Sequence, residues 1–123
     1  MRYLGTGAAG VGTDMNVVPA ENFTFSTMCL PAGCEGPMHV HHDVEEVFFC
    51  YKGTIKLFLE DGDKRYTTVL NERDLVSVPA GIYRGLNNIG QEEALMFVML
   101  GSGKPQIPTY PDYHPLSKIK RNV

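Results

Sequence analysis

Apolar and polar residues alternate along most of the chain in short runs, a pattern typical of β-strands with one buried face. The first of these runs places Phe23 and Phe25 on one face and Met28 and Leu30 on the other. The last run, ALMFVML, is apolar throughout and predicts a strand buried on both faces. The pattern predicts strands over residues 22–30, 38–42, 45–51, 54–60, 64–70, 75–78, 82–86 and 94–100.

Turn-forming residues separate these runs at spacings of about 8 to 12 residues. The strongest hairpin signal is Asp61-Gly62, and turns rich in glycine, proline or asparagine end most of the other runs. No segment before Gly101 has the apolar period of an amphipathic helix. Many short strands joined by such turns predict an all-β sandwich or barrel.

The length of the chain predicts a single domain over residues 1–123. The strand pattern fills a core of about residues 22–100, which leaves an N-terminal arm (1–21) and a C-terminal arm (101–123). The C-terminal arm contains too many prolines for a central strand or a helix, namely Pro105, Pro108, Pro111 and Pro115. We expect this arm to be extended and to lie on its own barrel or on that of a neighbour.

Three glycines of the N-terminal arm, Gly5, Gly7 and Gly10, match the G-x-G-x-x-G pattern of dinucleotide-binding loops. That function requires a helix that starts inside the motif, within a βαβ unit. The residues that follow show no apolar period of 3.6, and a strand comes next. We therefore expect a loosely packed arm and no dinucleotide site.

Composition narrows the classes of partner. The chain is 43% hydrophobic and 20% charged, as in an ordinary soluble domain, and its net charge of −3 favours neither nucleic acid nor a membrane as a partner. It has no apolar run long enough to span a bilayer and no signal-peptide pattern. Its 3 cysteines form no paired framework. These features predict a cytoplasmic protein.

The candidate metal-binding residues lie on two neighbouring predicted strands, 38–42 and 45–51. His39 and His41 are two residues apart, so an extended backbone points both imidazoles to the same face. Glu46 begins the next apolar run. Two imidazoles and one carboxylate form the ligand set of many iron, manganese and zinc sites. We therefore predict a divalent transition metal (Fe, Mn, Ni or Zn) bound by these three residues.

The spacing of these residues resembles the first motif of the cupin family. Gly33, His39, His41, Glu46 and Gly53 occupy the motif positions in register. The resemblance covers roughly residues 22–100 and implies a small double-stranded β-helix, or jelly-roll, barrel whose mouth holds the site. It also implies that Glu46, seven residues before the last glycine, is the acidic ligand.

Three other residues near the motif receive different roles. If Glu46 points to the metal, the neighbouring Glu45 points to the opposite face of the strand, so we expect Glu45 to face solvent. His42 falls on the face opposite to His41, which indicates a surface position or one behind the ligands. Cys50 shares the face of Glu46, and we interpret it as a small buried hydrophobic residue.

The stretch Asp74 to Asn88 resembles the second cupin motif, with Pro79 and Gly81 in the expected places. Arg84 stands where the family pattern has its third histidine, and arginine cannot deprotonate to bind a metal. Three interpretations follow. Arg84 binds an anionic substrate beside the metal, it forms a salt bridge with Glu46 in a site without metal, or it turns to solvent.

The resemblance implies a metal-binding cupin that acts on a small anionic organic molecule. The open three-ligand site suits a dioxygenase or a Lewis-acid isomerase or decarboxylase. The alternative is a metal-free barrel that binds or senses a small ligand through Arg84, so enzymatic activity itself stays open. We also expect a two-fold homodimer in which the arms, residues 1–20 and 101–123, take part, because a partner that covers exposed sheet edges is a common arrangement.

Overall fold

The computed structural model describes residues 1–5 and 17–118. In these ranges the chain forms nine strands and one short 3₁₀ helix, Pro115–Lys118. The strands are Arg2–Leu4 (β1), Thr24–Leu30 (β2), Glu35–His39 (β3), Glu46–Lys52 (β4), Ile55–Asp61 (β5), Lys64–Leu70 (β6), Leu75–Val78 (β7), Tyr83–Asn88 (β8) and Ala94–Leu100 (β9). No described helix is long and apolar enough to cross a membrane.

The strands form two antiparallel sheets that pack face to face. One sheet has the order β1-β2-β9-β4-β7 and the other the order β3-β8-β5-β6. Phe48 and Met96 from the first sheet and Ile55 and Leu57 from the second belong to the buried core between them. Each such side chain stabilises the fold by about 1.5 to 3 kcal/mol. The predicted all-β jelly-roll fold is confirmed.

The third strand lies earlier in the sequence than the alternation predicted. It ends at His39 and does not reach residue 42. Val40 leaves the sheet and exchanges backbone hydrogen bonds with Thr109, whose carbonyl is 2.9 Å from the Val40 nitrogen. The carbonyl of His41 accepts a hydrogen bond of 2.8 Å from Gly81. The C-terminal arm and the β7–β8 turn thus supply the partners that a sheet neighbour would otherwise supply.

The last strand, β9, is buried on one face only, so the prediction of two buried faces was wrong. Ala94 and Met96 point into the core. Phe97 points to the opposite face, where it is half-buried and contacts Phe49 and Tyr51 at ring-centroid distances of 5.9 and 5.1 Å. The apolar run therefore reflects an aromatic outer surface as well as a core strand.

Both arms contact the barrel where they are described. Residues Arg2–Leu4 pair with β2, so this part of the N-terminal arm is ordered as a strand, contrary to the expectation of loose packing. Gly5 is buried, whereas Gly7 and Gly10 lie outside the described residues. The C-terminal arm lies on its own barrel, where the Gln106 nitrogen donates to an Asp43 carboxylate oxygen at 2.9 Å.

Candidate metal centre

Three strand ends bring the predicted ligands together. His39 closes β3, Glu46 opens β4, and His41 lies in the link between them. One potential ligand atom from each residue lies within 4.8 Å of the others. The Nε2 atoms of His39 and His41 are each 3.7 Å from the same atom, Glu46 Oε1. The two nitrogens and one carboxylate oxygen therefore converge on one point.

The backbone of Pro37 selects the tautomer of His39. The Nδ1 atom of His39 lies 2.9 Å from the Pro37 carbonyl oxygen, which can only accept a hydrogen bond. Nδ1 must therefore carry a proton, which leaves Nε2 as the ring nitrogen that faces Glu46 and that can bind a metal ion through its lone pair. A bare nitrogen facing a carboxylate repels it unless a cation or a proton lies between them.

His41 is neutral for a different reason. Its side chain is buried, and burial lowers the pKa to about 4 from 6.5, with Glu46 opposing this and His39 and Arg84 adding to it. Its Nδ1 atom has no hydrogen-bond partner among the described residues. At neutral pH His41 therefore needs no deprotonation before it can bind a metal ion.

Glu46 is an anion in this setting. Burial would raise the pKa of its carboxyl group, but the hydrogen bond with His39 and the positive charge of Arg84 lower the pKa below its ordinary value. A buried carboxylate of this kind requires a neighbouring cation. The described structure supplies one in Arg84.

Arg84 is fully buried and directs its donors away from solvent, which excludes the interpretation that it turns outward. Its Nη1 donates to Glu46 Oε1 at 3.2 Å. Its Nη2 donates to the carbonyls of Pro79 and Ile82 at 3.1 and 2.7 Å, and Nε also donates to Ile82. This geometry matches the salt bridge expected from the sequence. These bonds engage four of the five N–H donors of Arg84, so binding of a substrate through the remaining donor stays a prediction.

The donor set fits a divalent cation even with Arg84 beside it. The bond of His39 Nδ1 to Pro37 leaves Nε2 as the nitrogen that can bind the ion, and His41 is neutral because it is buried. Glu46 supplies the negative charge. Neutral imidazoles and a carboxylate are the ligand forms that Fe, Mn, Ni and Zn bind. Arg84 lowers the affinity of such a site, because its charge repels a second cation at Glu46.

A cavity of about 250 Å³ opens beside these residues. Its polar end is formed by His39 and Glu46, and Tyr110 of the C-terminal arm also lines it. The remaining lining residues are Met28, Gly36, Pro37, Phe48, Leu86, Val98 and Pro108. The sequence motifs did not indicate which residues line this cavity. Strand alternation could have indicated part of this lining, because Phe48 is two positions from Glu46 and therefore points to the same face.

The residues that were assigned other roles lie apart from the three donors. Glu45 is exposed, as expected, and accepts a hydrogen bond of 3.3 Å from Ser77. His42 is exposed, with Nε2 2.8 Å from the Thr109 hydroxyl. Cys50 is fully buried in the core, and burial followed by the charges of Glu72 and Asp74 raises the pKa of its thiol. These positions agree with a surface role for the first two and a packing role for the cysteine.

We expect the chelator-treated protein to lose stability as the pH falls from about 6.5 to about 4, because unfolded His41 takes up a proton that the folded residue resists. The contribution is complete above pH 6.5, the unfolded pKa, and amounts to roughly 3 kcal/mol. Urea unfolding at several pH values measures it. His41→Gln should reduce the change of the unfolding free energy over this pH range, whereas His42→Gln should leave that change as in wild type. Equal slopes in all three proteins would contradict the prediction.

Comparisons with known proteins agree with the fold and the motif. A family model described as "Cupin domain" matches residues 26–100. The germin-like protein subfamily 3 member 3 of Arabidopsis thaliana is 34% identical over 76 residues, which are 61% of this chain and 36% of that protein. Oxalate oxidase GF-3.8 of Triticum aestivum is 27% identical over 108 residues, which are 80% of this chain and 48% of that protein. The chain spans less than half the length of these two relatives.

Solved structures show the same architecture. An oxalate oxidase structure matches with a TM-score of 0.67 at 22% identity and covers 72% of this chain and 46% of its own. An oxalate decarboxylase structure matches with a TM-score of 0.68 at 15% identity and covers 73% of this chain and 24% of its own. These likenesses concern the fold alone. Because the family model spans more than half of the chain and includes both motifs, the chain belongs to the cupin family.

Proposed function

We propose that this cupin binds one divalent transition metal ion, Fe, Mn, Ni or Zn, through His39, His41 and Glu46. The observation that carries the proposal is the convergence of the three ligand atoms within 4.8 Å, with both imidazole Nε2 atoms facing one carboxylate oxygen. Three protein ligands leave coordination positions open for a small molecule. The cavity beside His39 and Glu46 gives that molecule a place to bind.

The proposed activity is that of a metal-dependent enzyme on a small anionic organic molecule. A bound ion supplies a Lewis acid or, for iron or manganese, a redox centre. The chain's own residues perform the other tasks: the Pro37 carbonyl orients His39, and the apolar cavity walls exclude water from the reacting groups. One relative is named an oxalate oxidase and one structural neighbour an oxalate decarboxylase. Oxidation or decarboxylation of a carboxylate is therefore the reaction class that we propose.

A second function, binding or sensing of a small ligand without metal, is favoured by one contact. Arg84 Nη1 lies 3.2 Å from Glu46 Oε1 and neutralises the carboxylate without any ion. In this alternative the cavity binds its ligand while Arg84 keeps Glu46 ionised in a barrel that carries out no chemistry. A single hydrogen bond from Arg84 to a ligand carboxylate could use the second Nη1 hydrogen, whereas a bidentate bond would require Arg84 to give up one of its present acceptors.

Elemental analysis after reconstitution with each of the four metals tests the proposal. We expect about one ion per chain of wild-type protein. His41→Ala should reduce this content at least tenfold, because a three-ligand site that loses one ligand binds weakly. His42→Ala, one residue away but exposed, serves as the matched control and should keep its metal. Wild-type protein that stays far below one ion per chain with all four metals would favour the metal-free function.

We also propose that the protein is a homodimer and that the outer face of the five-stranded sheet forms the interface. Apart from Lys52 at the end of β4, which pairs with Leu95, the side chains that point outward from its three central strands are uncharged, among them Phe25, Thr27, Val47, Phe49, Tyr51, Leu95, Phe97 and Met99. A contiguous uncharged patch of this kind marks an interaction site. The arms lie on their own barrel where they are described, so the sheet face replaces them as the proposed contact.

An uncharged face is complementary to a second copy of itself, as a two-fold interface requires. We expect sedimentation to give a dimer at micromolar concentration and Phe97→Glu to give a monomer, because the substitution places two charges close to the proposed axis. Tyr66→Glu is the control, because Tyr66 is 55% exposed on β6 of the other sheet. A wild-type monomer, or a dimer that Phe97→Glu leaves intact, would exclude this interface.

The proposed cytoplasmic location rests on the sequence features alone. Cys29 and Cys34 are exposed free thiols and Cys50 is a buried one, which suits a reducing compartment. Fractionation of cells that express the native protein measures this location directly.

A further inference from the structure

The cavity beside the proposed metal site is apolar over most of its surface. Met28 of β2, Phe48 of β4 and Val98 of β9 line it from one sheet, and Leu86 of β8 lines it from the other. His39 and Glu46 form its polar end. A ligand that fills this space therefore meets polar groups at one end and hydrocarbon along the rest of its length.

The volume of the cavity restricts the size of that ligand. At about 250 Å³ it lies just below the range of about 300 to 1,000 Å³ that is typical of small-molecule sites. Pro108 and Tyr110 of the C-terminal arm add to its lining. The cavity suits a compact molecule such as a short branched or aromatic acid.

The charges around the cavity restrict the ligand further. None of the described residues that line it is a lysine or an arginine. The nearby Arg84 is fully buried and donates to Glu46 and to the carbonyls of Pro79 and Ile82. A metal ion at the polar end could bind one carboxylate. A second carboxylate on the same molecule would lie against side chains such as Leu86 and Val98, where an unpaired charge is strongly unfavourable.

We propose that the ligand is a monocarboxylate with a compact apolar body, and that dicarboxylates whose second carboxylate reaches the cavity wall, such as succinate, bind poorly. The proposal rests on the proposed function, because the carboxylate needs the metal ion at His39, His41 and Glu46. The apolar body lies against Met28, Phe48, Leu86 and Val98. Each methylene that is buried there raises affinity by about fourfold. Selectivity thus comes from the cavity wall, and the ion binds the carboxylate.

Calorimetry of metal-reconstituted protein with benzoate, isovalerate and succinate tests the proposal. We expect benzoate and isovalerate to bind at least about tenfold more tightly than succinate. Metal content is measured on the same samples, which separates the two proposals. Metal-loaded protein that binds succinate as tightly as benzoate would overturn the apolar-monoacid inference and leave the metal site standing.

A charge placed in the cavity wall provides a second test. Met28→Lys keeps a long flexible side chain at a half-buried position and supplies the missing cation. It should raise succinate affinity by about tenfold and reduce the preference for benzoate. Tyr66→Lys is the control, because it adds the same charge at an exposed position on β6 of the other sheet, outside the cavity lining. A succinate affinity that rises equally in both variants would assign the effect to net charge and contradict the inference.

The cavity can also be tested in protein that takes up no metal. If reconstitution fails, an NMR titration with benzyl alcohol, a neutral analogue of benzoate, tests whether the cavity binds an apolar ligand. Shifts confined to residues such as Met28 and Val98 would support an apolar ligand independently of the metal proposal. Uniform or absent shifts would overturn the inference about the cavity.

Discussion

Replacement of Arg84 by alanine is expected to destabilise the metal-free protein by about 3 to 5 kcal/mol and to raise its affinity for a divalent ion. Arg84 and Glu46 expose 0% and 6% of their side chains and are joined at 3.2 Å. Removal of the guanidinium leaves a buried carboxylate without a cation. The carbonyl of Ile82 also loses its two guanidinium donors, and that of Pro79 keeps only the long hydrogen bond of 3.5 Å from the Ile82 nitrogen.

The gain in metal affinity has an electrostatic origin. A divalent ion about 4 Å from the guanidinium would be repelled by roughly 8 kcal/mol at an effective dielectric constant of 20. A shift of the guanidinium within the site would relieve only part of this electrostatic repulsion. In Arg84→Ala the repulsion disappears, and the ion neutralises Glu46 in place of the arginine. Added metal should therefore restore much of the lost stability, by an amount that grows with its concentration.

Two control variants make the result specific. Arg65→Ala removes an arginine that is 77% exposed and lies 3.7 Å from Glu60, so it should change stability by less than about 1 kcal/mol. Arg84→His supplies an imidazole where the family pattern has one and should bind metal more tightly than wild type. Thermal unfolding with and without metal measures both effects.

The same variant also tests whether Arg84 binds the carboxylate of the substrate. If Arg84→Ala keeps its stability and its metal but loses affinity for carboxylates, Arg84 binds the substrate, which is another of the three interpretations that follow from the sequence. The measurement thus decides between the two interpretations that still apply to this residue.

The barrel core was predictable because alternation with a period of two is a local property. The predicted strand over residues 64–70 matches β6, and that over residues 94–100 matches β9. The boundaries of β3 were not predictable in the same way. Its end depends on the hydrogen bonds between Val40 and Thr109, which are far apart in the sequence. A pattern read over a few residues does not contain that contact.

The site was predictable to a similar degree. The spacing of His39, His41 and Glu46 reflects their placement at adjoining strand ends, and the structure brings the three together. The partner of Arg84 depends on three-dimensional proximity, so the sequence left three alternatives. Tyr110 was beyond prediction, because the prolines of its arm indicate extended backbone without indicating which face of the barrel it covers.

The second motif contains one more residue whose role emerges from the structure. Asn88 is 1% exposed and closes β8. Its Nδ2 atom donates to the carbonyls of Leu30 and Glu92, both at 2.8 Å, and its Oδ1 accepts from the Gly90 nitrogen at 2.9 Å. The side chain therefore links the end of β8 to the end of β2 and to the β8–β9 turn. Its position in the motif reflects folding and not chemistry at the metal site.

Asn88→Asp is expected to cost roughly 3 to 6 kcal/mol or to prevent folding, although it alters the size of the side chain very little. The amide nitrogen that donates to Leu30 and Glu92 becomes an oxygen, so two carbonyls face a buried negative charge. Asn87→Asp introduces the same change one residue earlier, at a half-buried position, and should cost less than about 1 kcal/mol. Urea unfolding compares the two variants with wild type. Similar losses for both would show that added charge, and not the hydrogen bonds of Asn88, determines the stability of this end of the barrel.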